Sequence, residues 1–343
     1  MALVDILVGL QWGSEGKGKI AAYLSSNYKA MVRSGGPQAG HTFYDGKTKF
    51  VNRQVPCGVF NKGCFLYISP AAIINIDVLR EEIKRYNLTP QRLIIDRQAT
   101  VISQNHIRNE KDSSLQEKLA STQEGVGAAQ ADKIWRRAIL LEEYAKETML
   151  MPYCGDTILA VHEHIKNEEP VLLEGTQGHW LSLNHGLYPY VTSRDVTASA
   201  LLNDAGIPPQ QHRKTIGVMR TYPIRVGGNS GPTGSKEISW KEIEQRSDSK
   251  KKIIEFTSVT GRIRRVFEQN IEFIQRAIMI NQPDELALMF LDYINAEDYG
   301  KSRFVKLSKK SKDYIYGIER ELQIPVTLIG TGPLNNHIIE KRE

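Results

Sequence analysis

The chain has 343 residues, 41% of them hydrophobic, and a formal net charge of +6. That length and apolar content mark a globular protein able to bury a sizeable core, in one large α/β domain or two small ones. No apolar run approaches the roughly 20 residues of a membrane span, the three cysteines, Cys57, Cys64 and Cys154, are odd in number and form no Cys-x-x-Cys pair, and the lysines at 250–252 and 306–312 lack interleaved aromatics. Membrane, disulfide, zinc and nucleic-acid roles are therefore not expected, and a cytoplasmic protein with reduced thiols is.

Leu3 to Val8 is an apolar run predicted to be a buried parallel strand, and Ile20 to Leu24 start a helix. Between them lies Gly9-Leu10-Gln11-Trp12-Gly13-Ser14-Glu15-Gly16-Lys17-Gly18-Lys19. A strand, a glycine loop and a helix make a phosphate cradle. Gly13, Gly16 and Gly18 let backbone N–H groups approach anionic oxygens, the helix N-terminus adds partial positive charge, and Lys17 adds a full one. The spacing is a cousin of the P-loop, because Gln11 replaces its first glycine and Gly18 replaces the Ser or Thr that holds Mg²⁺. The competing reading is a tight surface turn.

Ala30 to Arg33 is a second short strand, leading into Ser34-Gly35-Gly36-Pro37-Gln38-Ala39-Gly40-His41-Thr42. Open parallel sheets bind ligands at the carboxyl ends of their strands, so this loop is expected to face the first. Asn75 to Tyr86 carries Val78, Leu79, Ile83 and Tyr86 at helical spacing, with Asn75 or Asp77 as cap. In His162-Glu163-His164 the histidines point to different sides of a helix, which fits a solvated helix and not a metal site. Further strands are predicted at Arg92–Ile95, Val171–Leu173, Thr215–Met219, Leu286–Phe290 and Val326–Ile329. Strands alternating with helical stretches predict a mostly parallel central sheet in one α/β domain spanning 1–343, with 97–150 and 227–250 as excursions.

Written from Gln11 to Lys19, the first loop resembles that of adenylosuccinate synthetase, Gln-Trp-Gly-Asp-Glu-Gly-Lys-Gly-Lys. One letter differs: Ser14 stands where the family has an Asp that is both catalytic base and Mg²⁺ ligand. That exchange resembles the bacteriophage branch, which aminates dGMP in place of IMP on the route to 2-aminoadenine DNA. The resemblance runs from Leu3 to Pro333. It implies a bound nucleoside triphosphate on Gly13, Glu15, Gly16, Lys17, Gly18, Lys19 and Thr42, Mg²⁺ at Ser14 and the Gly40 carbonyl, and a general acid at His41. Gln38 and Ala39 fall in the acceptor-nucleotide segment, where Pro37-Gln38 replaces the family's His-Asn.

Ser121-Thr122 matches a Thr-Thr pair that binds the acceptor phosphate. Arg136, in Asp132-Lys133-x-x-Arg136-Arg137, matches an arginine that reaches the same phosphate across a homodimer. Glu174-Gly175-Thr176-Gln177-Gly178 resembles Glu-Gly-Ala-Gln-Gly, whose Gln holds the purine near its 6-oxo group; Thr192 matches a phosphate ligand, and Val226 a segment against the ribose. Tyr188-Pro189-Tyr190 is expected to pack. Val259, Thr260, Arg262 and Arg264 align with a loop that folds over L-aspartate, its guanidiniums pairing with the carboxylates. Met289-Phe290-Leu291-Asp292 replaces the guanine-selecting Thr-Lys-Leu-Asp, and Gly330, near Gly332 and Pro333, replaces a Ser beside the same base. Loss of that lysine points to ATP or dATP as donor, with GTP the alternative.

The implied reaction is a ligase step. The γ-phosphoryl group moves to O6, and the amine of L-aspartate then displaces phosphate at C6. Ser14 vacates space beside N1 for an exocyclic 2-amino group, so dGMP is the expected acceptor, in the cytoplasm of an infected host if the chain is viral. The alternatives are an ordinary enzyme acting on IMP and a nucleotide-binding regulator that lost catalysis with its Asp.

Overall fold

In the computed structural model, which describes residues 3–257 and 261–341, a ten-stranded sheet carries the molecule. Across it, the strands run Ile338–Glu340, Val326–Gly330, Glu285–Met289, His212–Arg220, Val4–Gly9, Val171–Glu174, Ala30–Arg33, Phe65–Ile68, Leu93–Asp96 and Cys154–Gly155. Neighbours are parallel except at one edge, where Ile338–Glu340 runs antiparallel to Val326–Gly330. The expected single α/β domain with a mostly parallel sheet is what forms.

Both faces of the sheet are covered, which is why its strands read as continuous apolar runs. The central strand β1 (Val4–Gly9) is buried throughout. Leu7 joins an apolar cluster with Ile20, Met31, Leu66 and Leu79, whereas Ile6 and Val8 join clusters on the opposite side, as alternation along a strand requires. The one charge inside β1, Asp5, is fully buried and held by Arg213 through two hydrogen bonds of 2.7 Å and by the Tyr28 hydroxyl at 2.5 Å. A buried carboxylate persists only with such partners.

Parallel strands put their carboxyl ends on one edge, so the loops after β1, Ala30–Arg33, Val171–Glu174, His212–Arg220 and Glu285–Met289 gather there. Helix α1 (Lys17–Leu24) leaves directly from the first of them. The helix expected at Asn75–Tyr86 spans Ile76–Arg85, and Asn75 is its cap, accepting the N–H groups of Asp77 and Val78 at 3.1 and 3.2 Å. Residues 97–150 hold four short helices, and 227–250 contribute Glu237–Ile238, which pairs with Arg265–Phe267 in a three-stranded sheet.

Three local readings need correction. His41 opens an antiparallel hairpin, His41–Asp45 against Thr48–Asn52, that the sequence reading lacks. His164 is not solvated: it is buried, with Nε2 2.8 Å from the Tyr67 hydroxyl and Nδ1 2.5 Å from Glu169. Tyr188 does not pack; it is 79% exposed, and only Tyr190 takes part in packing, beneath the Arg225 guanidinium. Among the described residues no helix is long and apolar enough to cross a membrane.

Candidate active site

The loop after β1 is built on left-handed backbone at Gly13, Ser14 and Gly16, with φ of 86°, 57° and 104°. Its shape is fixed from within. The buried Glu15 carboxylate accepts the N–H of Gly13 at 2.8 Å and of Gln11 at 3.3 Å, and pairs with Lys17 Nζ at 2.6 Å. The Gln11 amide binds the Arg220 backbone in both directions, at 3.0 and 2.9 Å. Helix α1 then starts at Gly16 with no side-chain cap, so the first N–H groups of the helix are donors an anion can take. Ser14 stands exposed at the tip. Gly18 is glycine for a packing reason: a Cβ there would lie 2.7 Å from the His41 Cβ and 2.9 Å from its carbonyl carbon.

His41 is buried against three groups from separate strands and loops. Its Nδ1 lies 2.6 Å from Glu174 Oε1, the same oxygen that accepts from Arg33 Nη1 at 2.6 Å, while the Cys57 N–H reaches Glu174 Oε2 at 2.7 Å. One carboxylate here faces an arginine that stays protonated. Burial and the neighbouring Arg33 charge therefore push His41 down to about 4, leaving it neutral, with Nδ1 in reach of both Glu174 Oε1 and Arg33 Nη1, the latter at 2.7 Å. Burial pushes Glu174 upward, but the bond from His41 and the Arg33 charge outweigh it and hold the carboxyl at about 2. His41, Cys57 and Glu174 lie close enough to suggest a metal cluster, yet Arg33 already supplies the cation.

The Glu174–Gly178 loop seals against the first. A Cβ at Gly178 would sit 2.5 Å from both the Gly13 nitrogen and the Gln11 carbonyl oxygen, and Gln177 adopts φ 57° beside it. Gly13, next to Ser14 in the chain, thus lies against the backbone of Gln177 and Gly178. Thr192 hangs from the same wall, its N–H donated to Leu181 O at 2.7 Å, with Leu181 packed on Gly13.

On the other side, Arg220 donates to Ser14 O at 3.2 Å, stacks over the Phe290 ring at 3.9 Å and pairs with Glu255. Arg264, expected over aspartate, also binds Glu255, at 2.6 Å, as does the Tyr293 hydroxyl at 2.9 Å. Burial favours the neutral form of Glu255, but the two arginines win and hold it at about 2. Asp292 is half-buried next to Lys19, with its Oδ1 buried and lacking a hydrogen-bond partner among the described residues; desolvation raises the carboxyl to about 7. Lys19 Nζ is turned to the carbonyls of Gly332 and His337, at 2.7 and 2.9 Å. Gly330 leaves room for the Met289 side chain, which a Cβ would meet at 2.5 Å.

The remaining expected residues scatter around this centre. Arg262 and Gly227 line a groove with Gln116 and Glu117, and Gly227 packs on the Ile263 carbonyl, which brings Val226 to the foot of the Arg262 loop. Ser121 and Thr122 border that groove through Ala120, which contacts Gly228. Gln38 is half-buried with its Oε1 unpartnered among the described residues, and the Ala39 carbonyl accepts from Arg33 at 2.7 Å. Gly40 and Thr42 flank His41. Arg136 stands apart, exposed beside the exposed Ile134 and Trp135. Val259 and Thr260 lie outside the described residues. Sequence reasoning missed Arg33, Cys57, Arg220 and Glu255; only Arg33 carried a signal, a lone charge ending an apolar strand.

Residues 6–151 and 140–301 match the family described as adenylosuccinate synthetase. The adenylosuccinate synthetase of Methanocaldococcus jannaschii is 38% identical over 344 residues, 98% of this chain and 96% of its own, and that of Thermococcus sibiricus is 38% identical over 345 residues, 98% of each. The fully ligated adenylosuccinate synthetase of Plasmodium falciparum has the same fold, with a TM-score of 0.88 at 23% identity over all of both chains. The cyanophage S-2L succinoaminodeoxyadenylate synthetase (PurZ), bound to dGMP and to dATP as an energy donor, superposes with a TM-score of 0.84 at 29% identity, covering all of this chain and 96% of its own. A phosphate-binding loop, a buried histidine and a glutamine loop converging on one cleft agree with these matches: the chain belongs to the adenylosuccinate synthetase family, C–N ligases that join aspartate to a purine nucleotide.

Proposed function

We propose that this chain joins L-aspartate to C6 of dGMP, giving a 2-amino-2′-deoxyadenylosuccinate, with ATP or dATP as phosphoryl donor. The observation that carries this reading is Ser14: a short, exposed side chain on left-handed backbone, where the family pattern puts a carboxylate. The likeness to the dGMP-bound cyanophage enzyme supports it. The higher identity to archaeal adenylosuccinate synthetases favours the second reading, an enzyme acting on IMP.

In the proposed site, the uncapped N–H groups of α1 and Lys17 receive the triphosphate, and Thr42 and Lys19 border it. Gln177 addresses the 6-oxo group of the purine; Thr192 and Thr122 take its phosphate, and Val226 borders the sugar. Transfer of the γ-phosphoryl group to O6 breaks its bond to the β-phosphate, releases the N1 proton to solvent and turns O6 into a leaving group; attack by the aspartate amine at C6 then expels phosphate, and the nitrogen gives up a proton to solvent. Positioning and charge neutralisation do most of this work. His41, oriented by Glu174, leaves Nε2 for the phosphate in flight. Arg262 and Arg264 hold the aspartate carboxylates, for which Arg264 exchanges its bond to Glu255. The Ser14 hydroxyl and the Gly40 carbonyl are hard oxygen donors that suit Mg²⁺; when bound, that ion neutralises phosphate charge. Phe290 in place of the family's lysine removes a charge from the donor-base site.

The test is phosphate release requiring L-aspartate, with dGMP, GMP, dIMP and IMP as acceptors and ATP, dATP and GTP as donors. Turnover is expected with dGMP and ATP or dATP, at least about tenfold above IMP, the effect of one mismatched polar contact. Preference for IMP contradicts the acceptor, and dependence on GTP alone contradicts the donor.

A further inference from the structure

We propose that Thr176 is a positioning residue: its hydroxyl fixes which end of the Gln177 amide faces the purine. The inference rests on the reading of this cleft as a site for amination of a 6-oxopurine, and not on which 6-oxopurine is used.

Thr176 is 2% exposed, and its Oγ1 lies 2.8 Å from Gln177 Oε1 and 3.0 Å from the Ser34 carbonyl oxygen. Both neighbours are acceptors, and a threonine hydroxyl has one proton to give. The shorter contact is to the amide. With the hydroxyl proton given to Oε1 and not to the Ser34 carbonyl, Nε2 is the end of Gln177 left for a ligand, and it carries two N–H donors; given to Ser34, it would leave Oε1 there instead.

The backbone around this contact is built to admit it. Gly35 has φ 119°, and a Cβ there would overlap Thr176 Oγ1, so the hydroxyl fits only because residue 35 is glycine. Gln177 itself sits at φ 57°, a conformation non-glycine residues seldom adopt without a reason. It is kept there by Gly178, wedged against the Gly13 nitrogen and the Gln11 carbonyl. The main chain of Gln177 is thus held from one side and its amide from the other.

The chemical consequence concerns O6. The purine oxygen gains negative charge as it becomes the nucleophile, so an N–H donor aimed at it is worth more in the transition state than in the ground state. That matters most where residue 14 offers a hydroxyl and no carboxylate to take the N1 proton, because stabilising charge on O6 makes N1–H more acidic. A free glutamine amide would present its oxygen as readily as its nitrogen, and an oxygen facing O6 would repel it.

The experiment compares wild type with Thr176→Val, which keeps the volume and removes the hydroxyl, and Thr176→Ser, which keeps the hydroxyl. Three quantities are measured: kcat and KM for phosphate release, the affinity for dGMP against 2-aminopurine deoxyriboside monophosphate, which lacks O6, and Tm. Thr176→Val is expected to lower kcat about tenfold, the scale of one oriented hydrogen bond, with KM for L-aspartate changed less than about twofold. The preference for the O6-bearing nucleotide should collapse, and Thr176→Ser should recover most of both. An unchanged preference in Thr176→Val, or a Thr176→Ser as impaired as the valine variant, overturns the proposal. If Thr176→Val does not fold, Thr176→Ala removes the same hydroxyl. If the enzyme turns over IMP and not dGMP, the proposed acceptor is wrong, while the same comparison runs with IMP against purine riboside monophosphate and still decides the role of Thr176.

Discussion

Buried ionisable residues divide into two kinds around the cleft. Glu174 and Glu255 each have arginine partners that outweigh the cost of burial and keep them charged. Asp292 does not: Lys19 beside it is itself depressed to about 7 by burial, and Asp292 rises from 3.8 to about 7. Between those two values the folded chain keeps a proton that the unfolded chain releases. The Asp292 contribution to stability is therefore fully present below about 3.8 and is lost as pH rises through about 7. Asp292→Asn cannot ionise. Without nucleotide, its stability relative to wild type should grow between pH 4 and pH 8, by at most about 4 kcal/mol from a shift of this size. Denaturant unfolding at several pH values measures the difference, and a pH-independent gap contradicts the assignment. The family resemblance named Asp292 from the sequence, but the burial of its Oδ1 without a partner among the described residues is set by the tertiary fold, which no local pattern encodes.

Glycines join the loops, and here the sequence was informative because the constraint is local. The run from Gly13 to Gly18 carried its own signal, and the structure explains each position by contact or by backbone conformation. Gly178→Ala should be among the most damaging single changes. The added carbon meets Glu15, the Gln11 carbonyl and the Gly13 nitrogen, so two loops must part. A loss of about 1–3 kcal/mol of stability is expected from overpacking, with activity falling further than stability; thermal unfolding and phosphate release measure the two, and a variant with normal activity contradicts the tight junction. The strands were legible because both sheet faces are buried. The hairpin His41–Asn52 was not, since Thr42, Tyr44, Lys47 and Lys49 break its apolar pattern; its one clear cue is Asp45-Gly46 at the turn. The cluster of Arg220, Arg264 and Glu255 was illegible for a different reason. Ion pairing between residues 35 positions apart leaves no periodicity to read.

For the molecule as a whole, Arg136 is the expected residue the fold leaves outside the cleft, exposed beside Ile134 and Trp135. The proposed shared site, in which Arg136 serves the acceptor phosphate from a second copy, would place it there. Mixing an Arg136→Ala variant with a His41→Asn variant should restore up to about a quarter of wild-type activity, because random pairing leaves some sites with both residues intact. No recovery, in mixtures shown to exchange subunits, contradicts a shared site.

The central claim is that residue 14 makes room for the amino group of guanine. A crystal structure with dGMP bound tests it most directly. The expected result is the guanine 2-amino nitrogen or N1 within hydrogen-bond reach of Ser14 Oγ, with Gln177 at O6. A guanine whose C2 edge points away from Ser14 would contradict the account, whatever nucleotide the enzyme prefers in solution.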